Sequence, residues 1–94
     1  MKKKIVIADD DPITKMDIKE MLESSGYDVV GKAADGFDAI EQCRKNLPDL
    51  VVMDIKMPLI DGLTAAKIID DENLAGAVLI LTAYSNDEFI QKAK

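Results

Sequence analysis

Four side chains that carry oxygen atoms follow three apolar runs of this sequence. Asp9 and Asp10 directly follow one run, Asp54 directly follows another, and Thr82 follows a third. Two carboxylates about 4 Å apart at an effective dielectric constant near 20 repel each other by roughly 4 kcal/mol, so a cluster of them binds a proton or a cation. An all-oxygen ligand set suits Mg²⁺, which keeps several waters and often shares a site with phosphate. If the fold brings these residues together, the sequence predicts magnesium and phosphoryl chemistry.

Each of these residues also has a structural explanation. An acidic run after a strand often forms a turn and a helix cap, and we assign Asp11 to that role because Pro12 follows at the first helical position. For Asp9 and Asp10 alone, the structural and functional explanations are about equally good. Asp54 is different, because a carboxylate directly after four apolar residues is partly buried, and such groups are rare unless paired or coordinating.

Apolar runs alternate with amphipathic stretches along the whole chain. We predict strands at residues 5–8, 29–33, 50–53 and 77–81, and helices at 12–25, 37–46, 63–71 and from residue 85 onward. The first, third and fourth runs are almost entirely apolar, which is typical of a parallel sheet covered on both faces. Short connections between alternating elements predict a doubly wound α/β fold. The carboxyl ends of its strands share one edge, so we expect the four side chains to converge there.

Helical spacing predicts which residues of two helices face the sheet. In the first helix these residues are Ile13, Ile18, Met21 and Leu22. In the second they include Cys43, which we expect to serve as a small apolar side chain. As the lone cysteine it excludes an internal disulfide, which favours a reducing cytoplasm.

The composition of the chain excludes several classes of function. The 94 residues fit one domain, and the net charge of −6 argues against direct contact with nucleic acid or an anionic membrane. No apolar run approaches the roughly 20 residues that span a bilayer. The absence of histidine excludes histidine-based catalysis and histidine metal ligands.

The ordered motifs resemble those of the receiver domains of two-component response regulators, over the whole chain. The motifs are Ile7-Ala8-Asp9-Asp10, Met53-Asp54-Ile55-Lys56-Met57-Pro58 with Asp61-Gly62, and Leu81-Thr82-Ala83. The sequences of residues 54–58 and 81–85 most resemble those of the antiterminator class (ANTAR-type). In that class the receiver precedes an RNA-binding output domain. Within that class it most resembles the ethanolamine-utilisation regulators.

The resemblance implies a flavodoxin-like sheet with strand order 2-1-3-4-5 and a defined phosphotransfer site. Asp54 would accept a phosphoryl group from a sensor histidine kinase. Asp10, Asp54 and the backbone carbonyl of Lys56 would bind Mg²⁺, with Asp9 acting through water. The Thr82 hydroxyl would contact the phosphoryl group and switch the output domain. The chain would therefore be a cytoplasmic signalling domain rather than an enzyme.

The family pattern also includes a fifth strand, which carries a lysine that contacts the phosphoryl group, and a fifth helix. Residues 1–94 contain neither this fifth strand nor this fifth helix, so we expect them to be one receiver domain truncated at its C-terminus. An uncovered fourth strand would allow a homodimer. In the family, the residues at the positions of Lys56 and Tyr84 influence phosphate hydrolysis, and a bulky Tyr84 would lengthen the lifetime of the phosphoryl group.

Three other functions fit parts of the pattern. A magnesium-dependent phosphohydrolase also forms an aspartyl phosphate, but it needs a second acid two positions after the nucleophile, where this chain has Lys56. A pseudo-receiver that only binds partners usually lacks the acceptor or the acidic pair, and this chain has both. A flavin-binding relative is disfavoured by the acidic strand ends and by the lack of a phosphate-cradling loop.

Overall fold

A computed structural model describes residues 2–81 of the chain, which form a parallel sheet and three helices. The strands are β1 (Lys4–Ala8), β2 (Asp28–Ala33), β3 (Leu50–Asp54) and β4 (Val78–Leu81). The helices are α1 (Pro12–Ser24), α2 (Gly36–Asn46) and α3 (Gly62–Asp71). The sheet order is β2-β1-β3-β4, which confirms the doubly wound fold. The helix predicted from Ser85 lies outside the described residues, as would a fifth strand.

An aspartate caps the N-terminus of each helix in the described part. Asp11, Asp35 and Asp61 accept hydrogen bonds from backbone N–H groups at the start of α1, α2 and α3. Such caps satisfy helix donors that have no partner within the helix, and each stabilises its helix by about 1 kcal/mol. The predicted role of Asp11 is therefore confirmed. All three helices begin at the edge of the sheet where the strands end.

The two faces of the sheet are covered unequally in the described residues. α2 and α3 cover one face, over the larger apolar cluster that includes Val6, Val51 and Met53. On the other face Ile5, Ile7 and Val52 form a smaller cluster. Cys43 is fully buried on the α2 side, as predicted.

The predicted sheet-facing side of α1 is half correct. Ile18 and Leu22 contact the smaller cluster, whereas Ile13 is 71% exposed and Met21 is 62% exposed. Five residues correspond to about 140° around a helix, so Ile13 cannot lie on the same face as Ile18. The helix therefore contacts the sheet along a narrower stripe than the sequence suggested.

The register between β1 and β3 positions the strand ends. Ala8 pairs with Met53, so Asp9 and Asp54 come next on two neighbouring strands. The chain after β3 is fixed by α3, because the Gly62 N–H donates to the Ile55 carbonyl at 2.8 Å. This edge of the sheet therefore holds the residues in which the sequence concentrates oxygen ligands.

Candidate metal centre

Three carboxylates meet at the carboxyl edge of the sheet. One carboxylate oxygen from each of Asp9, Asp10 and Asp54 lies within 4.8 Å of those from the other two. Asp9 is 7% exposed and Asp54 is 8% exposed, whereas Asp10 is exposed. Two nearly buried acids and one exposed acid thus surround a small volume that is open to solvent on the Asp10 side.

Backbone hydrogen bonds hold the two buried acids in place. The Asp9 N–H donates to the Ala33 carbonyl at 3.0 Å, which ties the end of β1 to β2. The Asp9 Oδ1 atom accepts from the Asp11 N–H at 2.9 Å. The Asp54 Oδ1 atom accepts from the Lys56 N–H at 3.4 Å, which is a long hydrogen bond. Asp54 is therefore the less firmly bonded of the two buried carboxylates.

The electrostatics of the cluster favour a bound cation. Burial raises the pKa of Asp9, and the nearby negative charges of Asp54 and Asp10 raise it further, while the hydrogen bond from the Asp11 N–H lowers it. A divalent cation between these carboxylates would offset both the repulsion and the loss of hydration. The ligand atoms are all oxygen and one side is open, which fits Mg²⁺ with several retained waters.

A cavity of about 350 Å³ opens over the cluster. It is lined by Asp9, Asp10, Asp11, Thr14, Asp54, Lys56 and Leu81. The cavity therefore has room for a cation together with a small anion beside Asp54, and the lysine on its wall provides positive charge.

The structure brings most of the predicted site residues together. Asp9, Asp10 and Asp54 form the cluster and Lys56 lines the cavity above it, while Thr82 lies outside the described residues. Sequence reasoning missed Thr14, whose hydroxyl donates to the Asp11 Oδ2 atom at 2.6 Å. A threonine three positions after a helix-capping aspartate was the available signal for this contact.

None of the helices in the described part of the chain combines the length and the apolar character needed to cross a bilayer.

Comparison with known proteins gives relatives along nearly the whole chain. The chain is 40% identical over 92 residues to the transcriptional regulatory protein PdtaR of Mycobacterium tuberculosis, which covers 98% of this chain and 44% of PdtaR. It is 36% identical over 90 residues to the chemotaxis protein CheY of Bacillus subtilis, which covers 96% of this chain and 75% of CheY. The chain thus spans less than half the length of the regulator and most of the length of CheY.

Solved structures share the fold and its order of elements. The signal receiver domain of the putative response regulator NarL from M. tuberculosis matches with a TM-score of 0.84 at 31% identity, covering 98% of this chain and 75% of that domain. The CheX–CheY–BeF₃–Mg²⁺ complex from Borrelia burgdorferi matches with a TM-score of 0.82 at 26% identity, covering 97% of this chain and 69% of the matched chain. The family model for the response regulator receiver domain matches residues 5–94. With this match over nearly its whole length, the chain belongs to the response regulator receiver family.

Proposed function

We propose that this chain accepts a phosphoryl group on Asp54 from the phosphohistidine of a sensor histidine kinase, with Mg²⁺ bound beside it. The observation that carries the proposal is the meeting of three carboxylates within 4.8 Å at the ends of neighbouring strands. Receiver domains are signalling modules, and the chain would act as one in the cytoplasm rather than as a conventional enzyme.

Of the two buried acids, Asp54 is the better nucleophile. Its carboxylate lines the cavity and makes only a long hydrogen bond, whereas the Asp9 carboxylate accepts a short one from the Asp11 N–H. An Asp54 oxygen would attack the phosphorus in line, forming a P–O bond while the P–N bond to the histidine breaks. The imidazole leaves with the electron pair of that bond. Catalysis then consists of positioning and charge neutralisation.

The residues that would hold Mg²⁺ are Asp10, Asp54 and the backbone carbonyl of Lys56, with Asp9 acting through water. A bound Mg²⁺ supplies positive charge that offsets the charge on the transferring oxygens. Asp9 and Asp54 are nearly buried and lie close together, so repulsion between their charges is poorly screened by solvent. A cation bound between them would offset that repulsion.

Two residues beyond the described part complete the proposal. The Thr82 hydroxyl would contact the phosphoryl group and bias the surface between two states, since phosphorylation adds about 1.5 to 2 negative charges at one point. Tyr84 would shield the aspartyl phosphate from attacking water. If the hydrolysis rate is the same in Tyr84→Ala, the shielding role is wrong.

The output would be control of transcription through a domain joined to this receiver. PdtaR, 40% identical here, is a transcriptional regulatory protein of more than twice this length. The sequences of residues 54–58 and 81–85 favour an output domain that binds RNA and acts by antitermination, as in the ethanolamine-utilisation class. The acidic receiver itself would not contact RNA, because its net charge of −6 repels phosphate.

Fluorine NMR with beryllofluoride and Mg²⁺ tests the phosphoryl-acceptor site. Beryllofluoride mimics a phosphoryl group, and we expect saturable, Mg²⁺-dependent binding to the 94-residue chain. Asp54→Ala should abolish it, and Asp10→Asn should weaken it by at least tenfold. Asp70→Asn, an exposed acid at the end of α3, is the matched control and should bind like the unmodified chain.

Three outcomes are distinct. Binding that persists in Asp54→Ala would contradict the assignment of the acceptor. Binding that appears only in a chain extended beyond Lys94 would mean that residues 1–94 are not sufficient for the site. Absence of binding in both forms would leave an interaction module that takes no phosphoryl group.

A further inference from the structure

Three large apolar side chains are exposed around the contact between the start of α2 and the loop before α3. Phe37 is 55% exposed, Leu59 is 77% exposed and Leu63 is 55% exposed. The two segments touch closely, since a Cβ atom on Gly36 would overlap the backbone oxygen of Ile60. We call Phe37, Leu59 and Leu63 the loop surface. Exposed apolar side chains grouped in this way mark sites of protein contact more often than scattered ones do.

The backbone at Leu59 is strained in a way that favours the same conclusion. Its φ angle is +71°, and the Ile60 N–H donates to the Pro58 carbonyl at 2.9 Å, which makes Leu59 the centre of a γ-turn. A bulky residue with positive φ is an outlier, and glycine would adopt this turn without that penalty. Because the Leu59 side chain is so exposed, its contacts within the chain do little to offset this strain. Leu47, at the C-terminal end of α2, shares this strain and exposure, so strain alone does not mark a contact. At Leu59 it adds to the exposure of Phe37 and Leu63 on the two touching segments, which favours a contact outside the chain.

The charges around the loop surface define its partner. Asp35 and Asp38 stand at the start of α2, and Asp61 stands directly before α3. The ion pairs found among residues 2–81 involve other side chains, so these three carboxylates are not neutralised by a lysine or arginine there. Lys67 lies one turn after Leu63 on α3, but the three carboxylates leave the border acidic on balance. Such a surface complements a helix that has an apolar stripe flanked by lysine or arginine. It repels RNA and a second copy of this acidic chain.

We propose that the loop surface docks a basic amphipathic helix of a partner protein. The apolar stripe of that helix would cover Leu59, Phe37 and Leu63, and its lysines or arginines would face the three aspartates. This contact does not use the Asp9, Asp10 and Asp54 carboxylates, so it goes beyond the phosphoryl-acceptor function. It gives the receiver a second means of engaging a protein.

NMR titration tests the proposal with the ¹⁵N-labelled 94-residue chain. The probe is a synthetic leucine–lysine amphipathic helix of about 18 residues, or about five turns. We expect saturable shifts of the amides at the start of α2 and in residues 59–64. Leu59→Gly should weaken binding by about tenfold or more, because a central apolar contact is lost, while the thermal midpoint of unfolding rises as the strain is relieved.

Leu47→Gly is the matched control. Leu47 also has positive φ, at +45°, and is 59% exposed, but it caps the other end of α2. This variant should gain stability in the same way and bind the peptide like the unmodified chain. Asp54→Ala should also bind the peptide normally, which separates this surface from the acceptor site.

The proposal would be overturned by unchanged affinity in Leu59→Gly, or by equal binding of a peptide in which glutamate replaces every lysine. Amide shifts confined to α1, or no binding at all, would also overturn it. A concentration-dependent dimer that Leu59→Gly abolishes would assign the surface to a second copy of the chain instead. Preferential binding of RNA at these amides would refute the charge argument.

Discussion

Gly62 lies directly against the backbone carbonyl of Asp54. A Cβ atom at Gly62 would overlap that oxygen and crowd the Cα atom of Ile55. Since these atoms belong to backbone, they cannot rotate away. We therefore predict that Gly62→Ala displaces the end of β3 and weakens Mg²⁺ binding by about tenfold or more, as even small misplacements in preorganised sites do. Calorimetric titration with Mg²⁺ measures the effect.

Gly76→Ala is the control for Gly62→Ala. A Cβ atom at Gly76 would lie 2.6 Å from the backbone oxygen of Asp49, just before β3 and therefore at the opposite edge of the sheet. Both variants should lower the free energy of unfolding, and only Gly62→Ala should lose Mg²⁺ affinity. Equal losses of Mg²⁺ affinity in the two variants would mean that Gly62 acts through general stability.

Asp9→Asn should stabilise the chain at neutral pH in the absence of divalent cations. The pKa of Asp9 is raised in the fold, so protonation of Asp9 increases the free energy of unfolding. This stabilising contribution is fully present below the ordinary pKa of 3.8. The contribution is lost as pH rises through the raised pKa. The amide oxygen of asparagine can still accept from the Asp11 N–H, so we expect a rise of a few degrees in the unfolding temperature.

The gain in Asp9→Asn should shrink as the pH falls toward 3.8. It should also shrink in millimolar Mg²⁺, because the ion stabilises most the chain that binds it most tightly, and the variant has lost one negative charge beside the site. Thermal unfolding across this pH range, with and without Mg²⁺, provides the measurement. A variant less stable than the unmodified chain at pH 7 without Mg²⁺ would contradict the electrostatic account.

Cys43 should be chemically inert in the folded chain. Burial raises the pKa of its thiol to about 11, so the reactive thiolate is scarce at neutral pH. We expect alkylation by iodoacetamide to proceed only as fast as the chain opens, and to accelerate greatly in denaturant. Cys43→Ser should cost about 1–3 kcal/mol in the free energy of unfolding, because a hydroxyl replaces a thiol in an apolar setting. A native reaction rate equal to that of the unfolded chain would show that Cys43 is accessible.

The ion pair between Arg44 and Glu72 should contribute little to stability. The guanidinium of Arg44 reaches both carboxylate oxygens of Glu72, at 3.0 and 3.2 Å, and links α2 to the end of α3. Both side chains are almost half exposed, so we predict a coupling energy of about 0.2–1 kcal/mol. A double-mutant cycle with Arg44→Ala and Glu72→Ala, at low and at high salt, measures it. A coupling above about 2 kcal/mol that is insensitive to salt would refute the prediction.

The strands and helix ends were predictable because local rules determine them. The apolar runs of β1 and β3 can only be buried on both faces, and the pair Asp11-Pro12 satisfies the start of α1 whatever the rest of the chain does. The sheet-facing side of α1 was harder to predict. An isolated helix does not reveal how wide a stripe its sheet can cover, and Ile13 proved to be exposed.

The acidic cluster followed from topology, since residues that end neighbouring parallel strands must meet. Sequence did not reveal the γ-turn at Leu59, because nothing in the identity of a leucine predicts positive φ. It also did not reveal the cavity contact of Thr14, which depends on where α1 lies relative to β3. Predictions thus succeeded where secondary structure and sheet topology set a residue's surroundings. They failed at the backbone angle of Leu59 and where the packing of α1 decides the contacts of Ile13 and Thr14.

The central position of β1 has a consequence for how the chain assembles during synthesis. β1 can pair with β2 as soon as the first βαβ unit has left the ribosome, but its other neighbour, β3, emerges only after α2. A nascent chain at the earlier stage carries Asp9 and Asp10 without a third carboxylate, and so it has little affinity for a cation. The docking of β3 gives β1 its second neighbour and completes the group of three carboxylates in one step. If the three carboxylates bind Mg²⁺ as proposed, the ion should stabilise the stage at which β3 has docked and leave the earlier intermediate unaffected.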